Sequence, residues 1–246
     1  MEDHVNTRIS QILMKKILIL CFLLCIPFIS AGQMHEVGFF LGGSNLIGDV
    51  GSRKFINTKS PAFGLIYKYN ITTRYSLRGS FSYSKLVNRN FFSDEPNRLL
   101  SFISAENQIT EFSAGIEFNF FDFNLHDYDN HISPYVYVGI NYFSYNLFYI
   151  NKNSPNDLVE YDKELEFSIP LTVGAKAKLN QKVILGFEIG ARYSFTDNLD
   201  GSNPIGQFEN NPNLKHGALY NNDWYVFTGI TLSFTFGRLP CYCKEK

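Results

Sequence analysis

The sequence predicts an all-β protein: an eight-stranded antiparallel transmembrane outer-membrane β-barrel behind an N-terminal signal peptide. Three observations predict it. Near its start the chain carries a short basic segment followed by an apolar one, the pattern of a secreted protein. Eight later stretches alternate apolar and polar residues with a period of two, the mark of a strand whose successive side chains point to opposite faces. Aromatic residues reach 16%, all but one of them Phe or Tyr, while charged residues are held to 18%. That balance suits strands with an apolar flank better than it suits a helical bundle. The formal net charge of −1 offers no basic surface, so no nucleic-acid partner is expected.

Met14-Lys15-Lys16 precedes the apolar run Ile17 to Ile29, interrupted only by Pro27, and Ser30-Ala31-Gly32 follows. Residues 1–32 therefore read as a signal peptide, cut after small residues, with Met14 a candidate start. The apolar run is short for a membrane anchor. Leu23-Leu24 before Cys25 lacks the small residues of a lipoprotein signal. Cys21 and Cys25 leave with the signal, so Cys241 and Cys243 are the cysteines of the mature chain. The expected organisation is signal peptide 1–32, barrel 33–237 and a short periplasmic Cys-x-Cys tail 238–246.

The alternating segments run in order. The first spans about Glu36 to Gly43, with Val37, Phe39 and Leu41 on its apolar face. The second is about Ala62 to Tyr69, carrying Phe63, Leu65 and Tyr67 opposite Gly64, Ile66 and Lys68. The third, Tyr75 to Lys85, sets Leu77, Phe81 and Tyr83 against Arg78, Ser80 and Ser82. The fourth, Ile109 to Phe120, sets Phe112, Ile116 and Phe118 against Glu111, Ser113 and Glu117. The fifth, Pro134 to Tyr145, sets Val136, Val138 and Ile140 against Tyr135, Tyr137 and Gly139. The sixth, Glu164 to Leu179, sets Phe167, Leu171 and Val173 against Glu166, Thr172 and Lys176. Pro170 in this segment cannot donate to a ladder and is expected to mark a bulge. The seventh, Val183 to Phe195, sets Leu185, Phe187 and Ile189 against Gly186, Glu188 and Arg192. The eighth, Asp223 to Phe236, is one long alternating run and reads as the closing strand.

Long and short connections alternate along the chain. Asn70 to Arg74 and Asn180-Gln181-Lys182 are short, and Phe121 to Ser133 is of middle length. Ser44 to Pro61, Leu86 to Gln108, Asn146 to Lys163 and Thr196 to Asn222 are long. Short periplasmic turns and long outer loops produce such a rhythm, and an even strand count then places both mature termini in the periplasm.

The polar face carries Glu36, Lys68, Arg78, Glu111, Glu117, Glu166, Lys176, Glu188 and Arg192. An eight-stranded barrel is just wide enough for side chains to fill. Charges buried there must pair, so these nine are expected to form an ion-pair network across the lumen. The bulk of Tyr135, Tyr137, Tyr225 and Phe227 argues against an open ion path. A soluble barrel would need larger polar rows than these Gly- and Ser-rich ones to cover its exterior.

No catalytic constellation stands out, and no enzyme activity or cofactor is expected. His216 has no serine or acid that the sequence places beside it. The turn from Asp122 to His131 gathers Asp122, His126, Asp127, Asp129 and His131. It reads first as a solvated polar turn, and then as a partner contact or cation site. Asp197 to Pro204 reads first as Asx turns and left-handed positions. Cys241 and Cys243, in a Cys-x-Cys pair after Pro240, could pair, stay free or cross-link to a partner.

Several long blocks carry a family resemblance: GGSNLIGDVGSRKFINTKSPAFGLIYKYN, EFSAGIEFNFFDFNLHD, FTDNLDGSNP, NNDWYVFTGITLSFTFG and PCYC. Together they resemble the PorG family, outer-membrane proteins of the type IX secretion system of Bacteroidetes. The resemblance runs from His35 to Cys243. It implies an integral outer-membrane barrel in contact with outer-membrane lipid and with a periplasmic ring of PorK- and PorN-type proteins. It also implies a role in protein export and gliding motility, a barrel that is not itself the conduit, and no catalytic residues. The segment Asp122 to His131 and the tail with Cys241 and Cys243 would be the partner-facing parts. The alternative is a stand-alone barrel whose loops Leu86 to Gln108 and Thr196 to Asn222 bind a ligand or surface partner.

Overall fold

A computed structural model describes residues 35–47, 56–89, 104–125, 132–150, 158–201, 203–211, 214 and 222–237. The signal peptide, the candidate start and the tail 238–246 lie outside the described residues.

The described chain forms β1 (His35–Ile47), β2 (Ser60–Asn70), β3 (Tyr75–Arg89), β4 (Ser104–Asn119), β5 (Ile132–Ile150), β6 (Leu158–Lys178), β7 (Val183–Ser194) and β8 (Trp224–Phe236). Each strand pairs antiparallel with the next, and β8 returns to β1, giving one closed barrel in sequence order. The closing seam runs from His35 opposite Phe236 to Ile47 opposite Trp224. Closure leaves no ladder edge within the ring, the condition for a sheet to cross lipid. The ends of β1 and β8 that meet at His35 lie with the connections 71–74, 120–131 and 179–182. The connections 48–59, 90–103, 151–157 and 195–223 share the other end.

The alternation seen in the sequence becomes two surfaces. Phe39, Leu65, Phe112, Ile140, Phe167 and Ile230 stand on the outside, each about half exposed or more. Ser76, Ser80, Ser113, Thr172, Thr231 and Ser233 turn into the lumen and are buried. An exterior of this kind would be unfavourable in water, where each exposed apolar Å² costs roughly 25 cal/mol. Facing acyl chains it costs nothing. Aromatic rings border the apolar band at both ends, Tyr75, Phe118 and Phe120 on the short-turn side and Tyr193, Phe195 and Trp224 on the loop side. An apolar belt between aromatic girdles on a closed eight-stranded ring is the construction of an outer-membrane barrel, and the chain is one.

Three differences from the expectation have physical causes. First, β3 to β6 run further toward the loop end than their apolar rows do, to Arg89, Ser104, Ile150 and Leu158. The β4–β5 ladder stops at Thr110 opposite Ser144, so above the ring two separate hairpins rise. Asn107 bridges the split: its amide donates to the Asn146 carbonyl at 3.0 Å and its side-chain oxygen accepts the Asn146 N–H at 2.9 Å. Second, Pro170 marks no bulge. The β5–β6 register is the same on either side of it, and Pro170 lies opposite Arg192 on β7. The bulge falls instead where Leu147 opposes Asp162 and Phe148 opposes Glu160, which leaves Tyr161 as the extra residue. Third, the ring is filled and capped at both ends by its own connections. Leu199, from the last long loop, is fully buried against Leu46, Leu86, Ile109 and Leu147 at the loop end. Phe123 and Leu125 close the short-turn end against Ile184.

Candidate functional site

The lumen between these two caps is the chemically distinctive part of the molecule. Every inward position on a strand is two residues from the next, so the register decides which charges meet. β2, β3, β4, β6 and β7 bring five charged side chains together near the short-turn half. Glu117 lies at the centre, its side chain fully buried. One oxygen accepts Lys176 Nζ at 2.7 Å and Lys68 Nζ at 2.9 Å. The other lies 2.7 Å from Lys68 Nζ and 3.5 Å from the Arg78 guanidinium. Arg78 spans the lumen to Glu188 with two donors, each at 2.8 Å. Tyr135 donates to the same Glu188 at 2.6 Å. Glu36 is opposite Lys68 across the β1–β2 ladder and accepts the Asn70 amide at 2.9 Å.

A second, smaller group sits toward the loop end. Glu111 accepts Arg192 at 3.0 Å, Tyr225 at 2.9 Å and Asn141 at 3.0 Å. The Arg192 guanidinium lies 4.3 Å from the centre of the Phe227 ring, and the same aromatic contact recurs where Lys176 stands 4.8 Å from that of Phe123. Removing a carboxylate or ammonium from water costs several kcal/mol per ion, so such groups persist only where opposite charge and hydrogen bonds compensate. Three cations here face three carboxylates, Lys68, Arg78 and Lys176 against Glu36, Glu117 and Glu188. The arrangement is a fixed polar core in which the buried charges of opposite sign are set against one another.

Eight of the nine charges expected in the lumen are therefore inside it. Glu166 is not. It is half-buried above the paired groups, and its carboxylate accepts the N–H of the adjacent Phe167 at 2.8 Å. It lies past the end of the β6–β7 ladder, and the residue across from it on β5 is the uncharged Phe143. The roles of Tyr135, Tyr225, Asn141 and Asn70 as hydrogen-bonding members of the network were not legible. Tyr135 and Tyr225 read from the sequence only as bulk. Lys178, on the same row as Lys176, also went unmarked, and it donates to the Leu125 carbonyl at 2.9 Å and fastens the lower cap.

Of the partner-facing candidates only Asp122 falls among the described residues; His126, Asp127, Asp129, His131, Cys241 and Cys243 lie outside them. Asp122 accepts Arg74 Nε at 2.6 Å and Thr73 Oγ1 at 3.2 Å, tying the β4–β5 turn to the β2–β3 turn. The bond from Arg74 holds the Asp122 carboxyl below the usual carboxylate range and raises Arg74 in return. Both side chains are exposed, so the pair contributes little to stability. Among the described residues no three His, Cys, Asp or Glu side chains converge as a metal site. In the Asp197 to Pro204 segment Gly201 takes a left-handed φ of 76° against the Phe148 ring, and Asn203 reaches Asp197 at 3.4 Å.

The family described as "Domain of unknown function (DUF6089)" matches residues 15–245. No curated protein sequence matches the chain. Solved barrels align along most of it at low identity. Neisserial surface protein A (NspA) is 10% identical, over 84% of this chain and 99% of its own, with a TM-score of 0.47. Ail, the attachment invasion locus protein of Yersinia pestis, solved with the heparin analogue sucrose octasulfate, is 11% identical over 82% and 96%, with a TM-score of 0.41. The N-terminal barrel domain of Pseudomonas aeruginosa OprF is 13% identical over 83% and 100%, with a TM-score of 0.40.

Proposed function

The chain belongs to the DUF6089 family, and from that premise we propose that this outer-membrane barrel is a non-enzymatic component of the type IX protein secretion machinery. In this reading the short-turn end faces the periplasm, both mature termini lie there, and the barrel contacts a ring of PorK- and PorN-type proteins. The observation that carries the reading is the closed lumen. Glu117 is engaged by three cations, Glu188 by Arg78 and the Tyr135 hydroxyl, and Glu111 by Arg192 with Tyr225 and Asn141, and Leu199 and Phe123 cap the two ends. A barrel so filled has no passage for a polypeptide, and its central carboxylates are paired with cations. What remains for function is its two ends and its lipid belt. A membrane-embedded anchor for a larger assembly needs no more than that. The sequence blocks that resemble PorG, which include GGSNLIGDVGSRKFINTKSPAFGLIYKYN and PCYC, support the choice of assembly.

Two measurements test it. Deleting the gene is expected to abolish type IX export, measured as secreted cargo in the medium; normal export would overturn the proposal. Affinity purification from detergent-solubilised outer membranes is expected to recover ring proteins, and recovery is expected to fall when residues 238–246 are removed. Surface labelling of single cysteines placed at Thr72 and Asn57 checks the orientation, with Asn57 expected to be reached from outside intact cells.

A second reading has its own support. The hairpins of β3–β4 and β5–β6 rise beyond the ring and carry the ends of two long loops. A stand-alone barrel that binds a surface partner through these loops would keep export normal in the deletion strain.

A further inference from the structure

β6 has strand neighbours on both sides for only part of its length. Its ladder to β5 runs on to Leu158, whereas its ladder to β7 stops at Ser168 opposite Ser194. The upper cap is the reason. After Ser194 the chain gives one last N–H, from Phe195 to the Phe167 carbonyl at 3.2 Å, and then turns inward. Thr196 meets the Tyr145 hydroxyl at 3.0 Å, and Leu199 fills the mouth. Higher up, the bulged Tyr161 recaptures the loop: its hydroxyl bonds the Ile205 carbonyl at 2.9 Å and its ring meets Phe208. Between these two points the edge of β6 from Asp162 to Glu166 has no strand beside it among the described residues.

Two observations say what this window fits. The N–H groups of Lys163 and Phe167 are taken by the carboxylates of the preceding residues, Asp162 and Glu166, each at 2.8 Å. Side-chain oxygens stand where the carbonyls of a neighbouring strand would be. Next, Asp162, Glu164 and Glu166 occupy alternate positions and share one face of the strand. Their neighbours on β5 are Leu147, Tyr145 and Phe143, none of them charged. On the other side, where β7 would continue, no strand among the described residues answers the row.

We propose that this edge is a docking site for an extended polypeptide segment with Lys or Arg at alternate positions, added to β6 as a further strand. In such strand addition main-chain hydrogen bonds supply affinity and alternate side chains supply specificity. Side chains directly opposite across an antiparallel pair stand about 4.5–5.5 Å apart at Cβ, so a basic row would meet the acidic one. Pairing displaces Asp162 and Glu166 from the N–H groups they now cover and gives their charge a partner. Charged side chains on an edge also repel unwanted strands. Here that protection is selective, because an acidic segment meets like charge and a neutral one gains no ion pair for the two caps it displaces. The proposal stands whichever machine the barrel serves.

The test uses full-length protein in a neutral detergent and a fluorescent Lys-Val-Lys-Val-Lys peptide, read by anisotropy. Two control peptides carry the same charge: Lys-Lys-Lys-Val-Val, and the alternating peptide with N-methylated valines. The alternating peptide is expected to bind about tenfold or more tightly than either control. Combining Asp162→Asn, Glu164→Gln and Glu166→Gln is expected to abolish the difference, with heat-dependent gel mobility showing that the barrel still folds. Leu165→Pro, which removes an N–H aimed at the open edge, is expected to do the same with all three carboxylates in place. Equal binding of the three peptides, or binding that survives either variant, would overturn the proposal, as would no binding of the alternating peptide at all.

Discussion

Arg78 and Glu188 join opposite walls of the barrel. They lie on β3 and β7, four strands apart in a ring of eight, and meet through two parallel hydrogen bonds of 2.8 Å. A two-pronged guanidinium–carboxylate pair fixes direction as well as distance, so this contact braces the two walls and bars the lumen. Removing one member strands the other in a dry interior. Glu188→Leu or Arg78→Met is expected to lower unfolding stability by about 3–5 kcal/mol. The double variant is expected to cost less than the sum of the two, because no charge is then left unpaired. Urea titrations of protein refolded into lipid vesicles, followed by gel mobility, measure both. Additive losses would mean that the pair is not coupled.

Glu117 is a stricter case, because Lys68, Lys176 and Arg78 all depend on it. Glu117→Gln keeps the shape and removes the charge. It is expected to cost more than the conservative Tyr135→Phe, which deletes one hydrogen bond to Glu188 and is worth about 1–3 kcal/mol. The same urea midpoints rank the two variants. An equal or smaller loss for Glu117→Gln would show that charge is not what organises the cluster.

How far the sequence could take this is visible in particular residues. Alternation located all eight strands, since one face must be apolar wherever lipid lies outside, and Phe39, Leu65 and Ile140 all fall on it. The signal fades where the bilayer stops. Above the belt both faces of β6 are polar, as at Asp162, Lys163 and Glu164, so the period no longer shows and the strand looks like a loop. For the same reason Glu166 continues the lumen-facing row in the sequence yet stands above the charge network. Alternation also put Lys68, Arg78, Glu117 and Glu188 on one face, but not in contact. That depends on the stagger of the strands, which brings residues 110 positions apart together. Leu199 and Phe123 carry no pattern at all. Each is an apolar residue in a polar connection, and only the finished cavity shows why it is apolar.

The lipid face predicts its own sensitivity. Ile140 is 66% exposed on β5, between Val138 and Tyr142 on the same outward row. Ile140→Arg places a guanidinium in the acyl region and is expected to cost about 2–4 kcal/mol near mid-bilayer. Ile140→Ala is expected to cost much less, since lipid replaces the lost contacts. Folding into vesicles across a urea series separates the two.

On the short-turn side, Arg74 and Asp122 give a pH expectation. The folded carboxyl sits below its ordinary range because Arg74 donates to it. A depressed carboxylate stabilises the folded state above its unfolded pKa, and that contribution disappears as pH falls through the folded value. Both groups are exposed, so the effect on stability is slight. It is the titration itself that shows the contact. A ¹³C-carboxyl titration should place Asp122 below a free aspartate, and Arg74→Gln should return it to the ordinary range. No change on that substitution would mean that the two turns are not tied in solution.

The two caps make a prediction that separates stability from passage. Leu199 is fully buried at the loop-side mouth, its N–H donating to the Asp223 carboxylate at 2.9 Å and its carbonyl accepting the Asn107 amide at 3.0 Å. Leu199→Ala should leave a hole lined by Leu46, Leu86 and Leu147, and cost about 2–5 kcal/mol. Conductance in planar bilayers should nonetheless stay at the baseline of the unaltered protein, because Arg78–Glu188 and the Glu117 cluster bar the lumen below. Adding Glu188→Ala, Arg78→Ala, Glu117→Ala and Phe123→Ala to Leu199→Ala removes both caps, the crossbar and the centre of the charge cluster together. Only that combination is expected to pass ions, at the small conductance of a lumen still narrowed by Tyr135, Tyr137 and Tyr225. Conductance in Leu199→Ala alone would mean that the cap, and not the ion pairs, is what keeps the barrel closed.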